Sequence, residues 1–299
     1  MKTVVRTITV VPLKVVVCAA AYVLGVTFSG IALTKLGIQV PSANERVDPE
    51  KLMPCLLLGS LLLSAMVAPL AGLMRGPYVR RWAALFALAL ICLGLNTAIE
   101  AAIFTEVHGI FALTAFQVLP ALLFSAAISL LFRSRRDGTT ATNQRFLSEL
   151  SGRRWALRIA LAVSAFPIIY YAFGMMVAPF VIEYYRQGQF GLTLPPVKVI
   201  ISVQLLRSAL YMLCSLAVLT MASGSRRRQV LGFGLAFYVL TGLFGMIQAY
   251  WLPTGMRLLH GAEILGDSMA YAVVMTALFT PRTGSARTAS PVALSAAHC

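Results

Sequence analysis

The stretch "LKVVVCAAAYVLGVTFSG", Leu13–Gly30, carries a single charge, Lys14, in an otherwise apolar run. A run of this kind, extended to about 20 residues, is long enough to cross a bilayer as a helix. It decides the fold because the chain writes it twice. "LRIALAVSAFPIIYYAFG", Leu157–Gly174, sets Arg158 on Lys14 and Gly174 on Gly30, an offset of 144.

Working outward, the same register continues. "LLGS" (57–60) lies on "LLRS" (205–208), Arg80 on Arg228, and "IEA" (99–101) on "IQA" (247–249), all at an offset of 148. "HG" (108–109) lies on "HG" (260–261) at an offset of 152. The offset changes only where loops on one side of the membrane are expected. Self-similarity at a fixed period marks a repeat architecture. Each unit holds an even number of spans, so both enter the membrane in the same sense, related by an axis along its normal.

The bulk composition agrees. Of 299 residues, 59% are hydrophobic and 12% charged, and the mean hydropathy is +0.82. Soluble domains carry about 25% charged residues. Eight spans are expected, at 12–34, 52–74, 82–104, 109–132, 155–184, 198–222, 229–251 and 258–280. The expected fold is all-α, a polytopic membrane protein of eight transmembrane helices in two parallel four-helix repeats. Residues 1–132 form the first repeat and 155–280 the second. They flank a basic cytoplasmic loop, 133–154, and precede a disordered cytoplasmic tail, 281–299.

The net charge of +15 is a matter of topology rather than of nucleic-acid binding. With the N-terminus in the cytoplasm, eighteen Lys and Arg lie inside, among them "RSRR" (133–136) and "SRRR" (225–228). Six lie outside: Lys35, Arg46, Lys51, Arg186, Lys198 and Arg257. This is the positive-inside bias. It predicts a multi-pass protein of a bacterial inner membrane with both termini cytoplasmic. The partners expected are the lipid bilayer, whose anionic head groups the basic runs can touch, and a small-molecule substrate or proton. No nucleic acid is expected, and the sequence names no oligomeric state.

The five cysteines are scattered, without CxxC or metal-ligand spacing, and read as packing residues. "VVVC" (15–18) lacks the small residue of a lipobox at Val17, and the final "AAHC" is no prenylation box. "AAA" (19–21) offers a signal-peptidase site, but the repeat needs this helix retained.

The polar intramembrane residues gather in the outer half. On the last span, "HGAEILGD" (260–267) places His260, Glu263 and Asp267 on one helical face at depths of roughly 3, 8 and 13 Å. Arg207 sits about 13 Å deep on the sixth span, with Gln204 one turn above. Asn96 and Glu100 belong to the outer third of the third span, Gln248 to the seventh. Arg207 aligns with Gly59, Glu263 with Phe111 and Asp267 with Ala115, so these charges belong to one repeat. A lone Arg in a helix centre costs about 2.5–3.5 kcal/mol. A partner at equal depth is therefore expected: Asp267 first, Glu263 next. With all groups ionised, Glu100, Glu263 and Asp267 oppose Arg207 at a net −2, so a proton or cation is expected among them. The arrangement is a structural clamp or a polar cavity open to the outside.

Other motifs are weaker. His108 and His260, at equivalent helix starts, could hold a haem between them. "LGDS" (265–268) resembles the GxGD of intramembrane aspartyl proteases, but Ile264 replaces the first Gly and no second intramembrane Asp exists. Ser60, Ser208 and Ser268 lack the paired Ser and His of a rhomboid-like protease. HExxH, P-loop and GxGxxG patterns do not occur. Gly242 and Gly245 read as close-packing residues. Glu183, Tyr184 and Tyr185 read as an aromatic interface belt or a substrate rim.

With "EYYRQG" (183–188) closing the fifth span and "LLHGAE" (258–263) opening the eighth, the chain resembles a group of uncharacterised bacterial multi-pass membrane proteins of about this size. The resemblance implies no activity. The leading expectation is a transporter of a small solute or lipid-like substrate. A membrane-embedded enzyme using Glu263 or Asp267 as acid or base comes next, then a non-catalytic assembly or sensor subunit.

Overall fold

Among the described residues, eight helices are long and apolar enough to cross a membrane. The structure is a computed structural model that describes residues 2–40, 48–107, 109–133 and 146–281. Most of the basic loop, the proposed tail beyond residue 281, and His108 lie outside the described residues.

The helices are α1 (Lys2–Lys35), α2 (Pro49–Leu73), α3 (Tyr78–Phe104), α4 (Ile110–Leu131), α5 (Gly152–Arg186), α6 (Val197–Leu219), α7 (Arg226–Gln248) and α8 (Thr254–Phe279). Local chemistry fixes several starts. Asp48 caps α2 by accepting the Glu50 N–H at 3.0 Å, with Pro49 at a position whose missing N–H costs nothing. Pro77, Pro196 and Pro253 stand just before α3, α6 and α8.

Three helices are irregular. α3 and α7 each contain a π-helical segment, Leu90–Leu95 and Val239–Leu243, and the two segments touch each other. α4 breaks at Gln117 between Ile110–Phe116 and Val118–Leu131. Pro120 explains the break. It offers no N–H to the Phe116 carbonyl, and its ring presses on that carbonyl.

Within the first half, α1 packs on α2 and α4, and α3 on α4; within the second, α5 packs on α6 and α8, and α7 on α8. Between halves, α2 lies against α7 and α3 against α6. The two basic-end turns pair reciprocally. The Arg75 N–H donates to the Met221 carbonyl at 2.8 Å, and the Ser223 N–H to the Leu73 carbonyl at 2.9 Å. Met74 and Ala222, 148 residues apart, face each other between these bonds. Gly76 and Gly224, also 148 apart, both hold φ above 100° (111° and 106°), a conformation that favours glycine.

Further matched contacts line the interior. Lys14 Nζ donates to the Leu131 carbonyl at 2.6 Å, and Arg158 Nη1 to the Leu278 carbonyl. Tyr22 packs edge-on to Phe124 at 6.2 Å, and Phe166 to Tyr271 at 5.5 Å. Gly94 of the first π segment admits the Gln117 side chain, and Gly242 of the second admits Ile264. Gly242 thus has the close-packing role its size implies, whereas a side chain at Gly245 would meet open space.

Candidate functional site

The far end, opposite the basic turns, holds most of the buried charge. Among the described residues four charged side chains are buried: Arg81, Arg207, Glu263 and Asp267. Arg81 belongs to the basic end, where its Nη2 donates to the Ser129 carbonyl at 2.7 Å. The other three lie on α6 and α8.

Arg207 meets Glu100. Its Nη2 stands 2.5 Å from Glu100 Oε1, a charge-assisted pair. The same nitrogen donates to the Tyr211 hydroxyl at 3.1 Å, and Nε to that hydroxyl at 3.4 Å. Three rings surround the guanidinium, Tyr211, Phe166 and Tyr170, with centroids 5.7, 5.8 and 5.9 Å away. These distances are within cation–π reach. The expectation that Asp267 partners Arg207 is thereby corrected. Equal depth was a sound criterion, but depth does not specify azimuth. α3 packs beside α6 and brings Glu100 within range; Asp267 makes no ion pair with Arg207, and its Oδ1 has no hydrogen-bond partner.

Glu263 is held separately. His260 Nδ1 lies 2.7 Å from Glu263 Oε2, one turn away as the i, i+3 spacing requires. Tyr185 of α5 approaches His260 Nε2 at 3.5 Å and packs edge-on to Phe104 of α3 at 6.4 Å. Gly174 leaves room for the carboxylate, since a Cβ there would stand 3.3 Å from Glu263 Oε1. Of the expected rim residues, Tyr185 points into this site. Glu183 pairs with Arg186 at 3.8 Å and accepts from Gln187, and Tyr184 packs on Phe190.

The remaining candidates divide. Gln204 is fully buried, yet neither its Nε2 nor its Oε1 has a partner. Asn96 is buried and turns to α7, with Nδ2 3.5 Å from the Thr241 carbonyl, so it is not part of the ion cluster. Gln248 is half-buried at the end of α7 and makes no hydrogen bond to these residues. The haem reading paired His260 with His108, which lies outside the described residues; His260 itself is engaged by Glu263 and Tyr185.

Sequence reasoning missed Tyr211, although a tyrosine four residues from an intramembrane Arg on one helical face was a usable signal. Phe166 and Tyr170 could not have been found, because α5 comes to α6 only through the tertiary packing. The cluster therefore offers one guanidinium, an imidazole and three carboxylates, with unpartnered buried atoms on Gln204, Asp267 and Arg207 (Nη1). Among the described residues no group of three or more His, Cys, Asp and Glu is placed to hold a metal ion. No protein-family model, curated protein or solved structure matches this chain.

Proposed function

We propose that the protein is a multi-pass transporter of a small solute or lipid-like substrate, built as two parallel four-helix repeats, with its site at Arg207, Glu100, Gln204, Glu263, His260 and Asp267. The observation that carries the reading is the set of unpartnered buried polar atoms around one ion pair. Buried polar groups are normally hydrogen-bonded, and an empty set of donors and acceptors in an apolar bundle is what a polar ligand would satisfy.

The repeat is supported by the matched contacts. Lys14 and Arg158, like Tyr22 and Phe166, differ by 144; Gly94 and Gly242 differ by 148. Their α4 and α8 partners, Leu131 and Leu278, Phe124 and Tyr271, Gln117 and Ile264, all differ by 147. This replaces the offset of 152 read from the two "HG" pairs. Asp267 then corresponds to Pro120 rather than Ala115, and Glu263 to Phe116 rather than Phe111. The charges still belong to one half.

The cation distribution supports placing the basic end in the cytoplasm of a bacterial inner membrane, so the cluster opens toward the outside. A cysteine at Thr139 should then label only after permeabilisation, and one at Thr193 from outside; the reverse pattern would invert the orientation. Transport itself is tested in proteoliposomes with a panel of radiolabelled small solutes and fluorescent lipids. Flux should be lost in the Arg207→Leu, Glu100→Leu double variant while the protein stays folded. Retained flux would leave the pair as a clamp between α3 and α6, the scaffold reading.

A further inference from the structure

Three carboxylates approach the cluster, and their surroundings differ. Glu100 has Arg207 at 2.5 Å and a side chain 38% exposed. Glu263 has His260 at 2.7 Å. Asp267 is buried, 6% exposed, with no cation on it and Oδ1 without a hydrogen bond. An ionised carboxylate buried alone is expensive, and such a group takes a proton or a counter-ion instead.

The elements packed against α8 supply one buried cation, Arg207, and it is paired with Glu100 rather than with Asp267. In this half, α5 contributes Tyr170, Tyr171 and Tyr185 and, at its end, Tyr184 and the mutually paired Glu183 and Arg186; α7 contributes Tyr238, and the second π segment with the end of α7 contributes no ionisable group. On α6 stand Tyr211 and Arg207, whose Nη2 is committed to Glu100 and Tyr211. On α8 itself the nearest groups are Glu263, another acid, and Tyr271, whose hydroxyl is unpartnered. Ser268 Oγ, next in the chain, is unpartnered too.

We propose that Asp267 is the proton-exchanging group of the site: it holds a proton while buried and releases it when the site is hydrated. Glu100 and Glu263 stay engaged with Arg207 and His260. The step is a proton transfer alone. The carboxylate takes a proton from water on the open side and returns it to water, with no other bond made or broken. That this exchange is coupled to a solute rests on the transport reading; the exchange itself is testable without any solute.

The experiment is infrared difference spectroscopy of the full-length protein in lipid nanodiscs, between acidic and alkaline buffer. The wild type should show a protonated-carboxyl C=O band that disappears in alkali. Carbonyl-labelled 13C-aspartate should shift the band, and carbonyl-labelled 13C-glutamate should not. The other aspartates are Asp48 and Asp137, so an Asp48→Asn, Asp137→Asn variant should keep the whole band. Asp267→Asn should abolish it, and Glu263→Gln should leave it. If Asp267→Asn does not fold, the labelling with the double control variant still decides. A band that follows the glutamate label moves the proton to Glu263 or Glu100 and overturns the assignment. A wild type without the band in either buffer overturns it as well. A band at Asp267 with no solute flux would uphold the proton site and reject transport.

Discussion

Two of the interfaces between the halves, α2 with α7 and α3 with α6, are built in opposite ways at the far end. α2 packs on α7 on both sides of the π segment. There Gly59 admits the Phe244 ring so closely that a Cβ would stand 3.1 Å from it. α6 packs on α3 along Tyr78–Ala89 and the π segment, and the Arg207–Glu100 pair joins it to Asn96–Phe104. Arg207 and Gly59 differ by 148, as do Gln248 and Glu100. On the proposed repeat, the same pair of positions carries an apolar contact in one seam and an ion pair in the other. If the repeat holds, the contrast teaches that the proposed site arises less from the architecture than from which residue stands at each pair of corresponding positions.

The largest effect is expected from carrying the charge to the sealed side. Gly59→Arg should prevent folding or expression, because Phe244 fills its space and Gln248 offers no counter-charge. Gly59→Arg with Gln248→Glu should recover part of the yield, measured as monodisperse protein by fluorescence-detected size exclusion. No recovery would break the correspondence between the seams.

Next in size is the ion pair itself. Glu100→Leu strands a buried guanidinium, a loss of the kind that costs about 3–5 kcal/mol. The lower end applies here because Glu100 is partly exposed. Arg207→Leu should cost less, since Glu100 can turn to water. The double variant should be more stable than Glu100→Leu alone in detergent-denaturation curves. Equal losses for the two single variants would mean that both partners are buried in the working protein.

A smaller loss is expected for Tyr211→Phe, which removes the hydroxyl that accepts from Nε and Nη2. A bond to a charged group contributes about 1.5–3 kcal/mol. The same denaturation curves report it, and an unchanged midpoint would mean that water replaces the hydroxyl. Smallest is the glycine comparison on α7. Gly242→Ala should destabilise by about 1–3 kcal/mol through overpacking against Ile264, and Gly245→Ala should stay within about 0.5 kcal/mol.

The eight helices were legible because apolar length is a one-dimensional property. The expected 12–34 and 155–184 became Val10–Lys35 and Gly152–Arg186, and the other spans moved by similarly few residues. The break at Gln117 was also written in the chain, three residues ahead of Pro120, but reading it requires following one carbonyl rather than an average. The π segments carry matched glycines, Gly94 and Gly242, yet nothing local distinguishes these from Gly245, which meets open space. Membership of the cluster was half legible. Spacing along one helix put His260 with Glu263, because helical geometry fixes which residues share a face. The partner of Arg207 depends on which helix lies beside α6, and depth alone could not choose between Asp267 and Glu100.

The most direct measurement compares water access at two matched positions, Gln204 on the charged seam and Leu56 on the sealed one, 148 residues apart. In a background with the five native cysteines replaced, Gln204→Cys and Leu56→Cys are exposed to a membrane-impermeant thiol reagent from the side opposite the basic loops. The account predicts that Gln204→Cys is modified and that Leu56→Cys is protected, in variants that both remain monodisperse. Protection of both positions would contradict it, leaving Arg207 and Glu100 as a dry clamp between two helices.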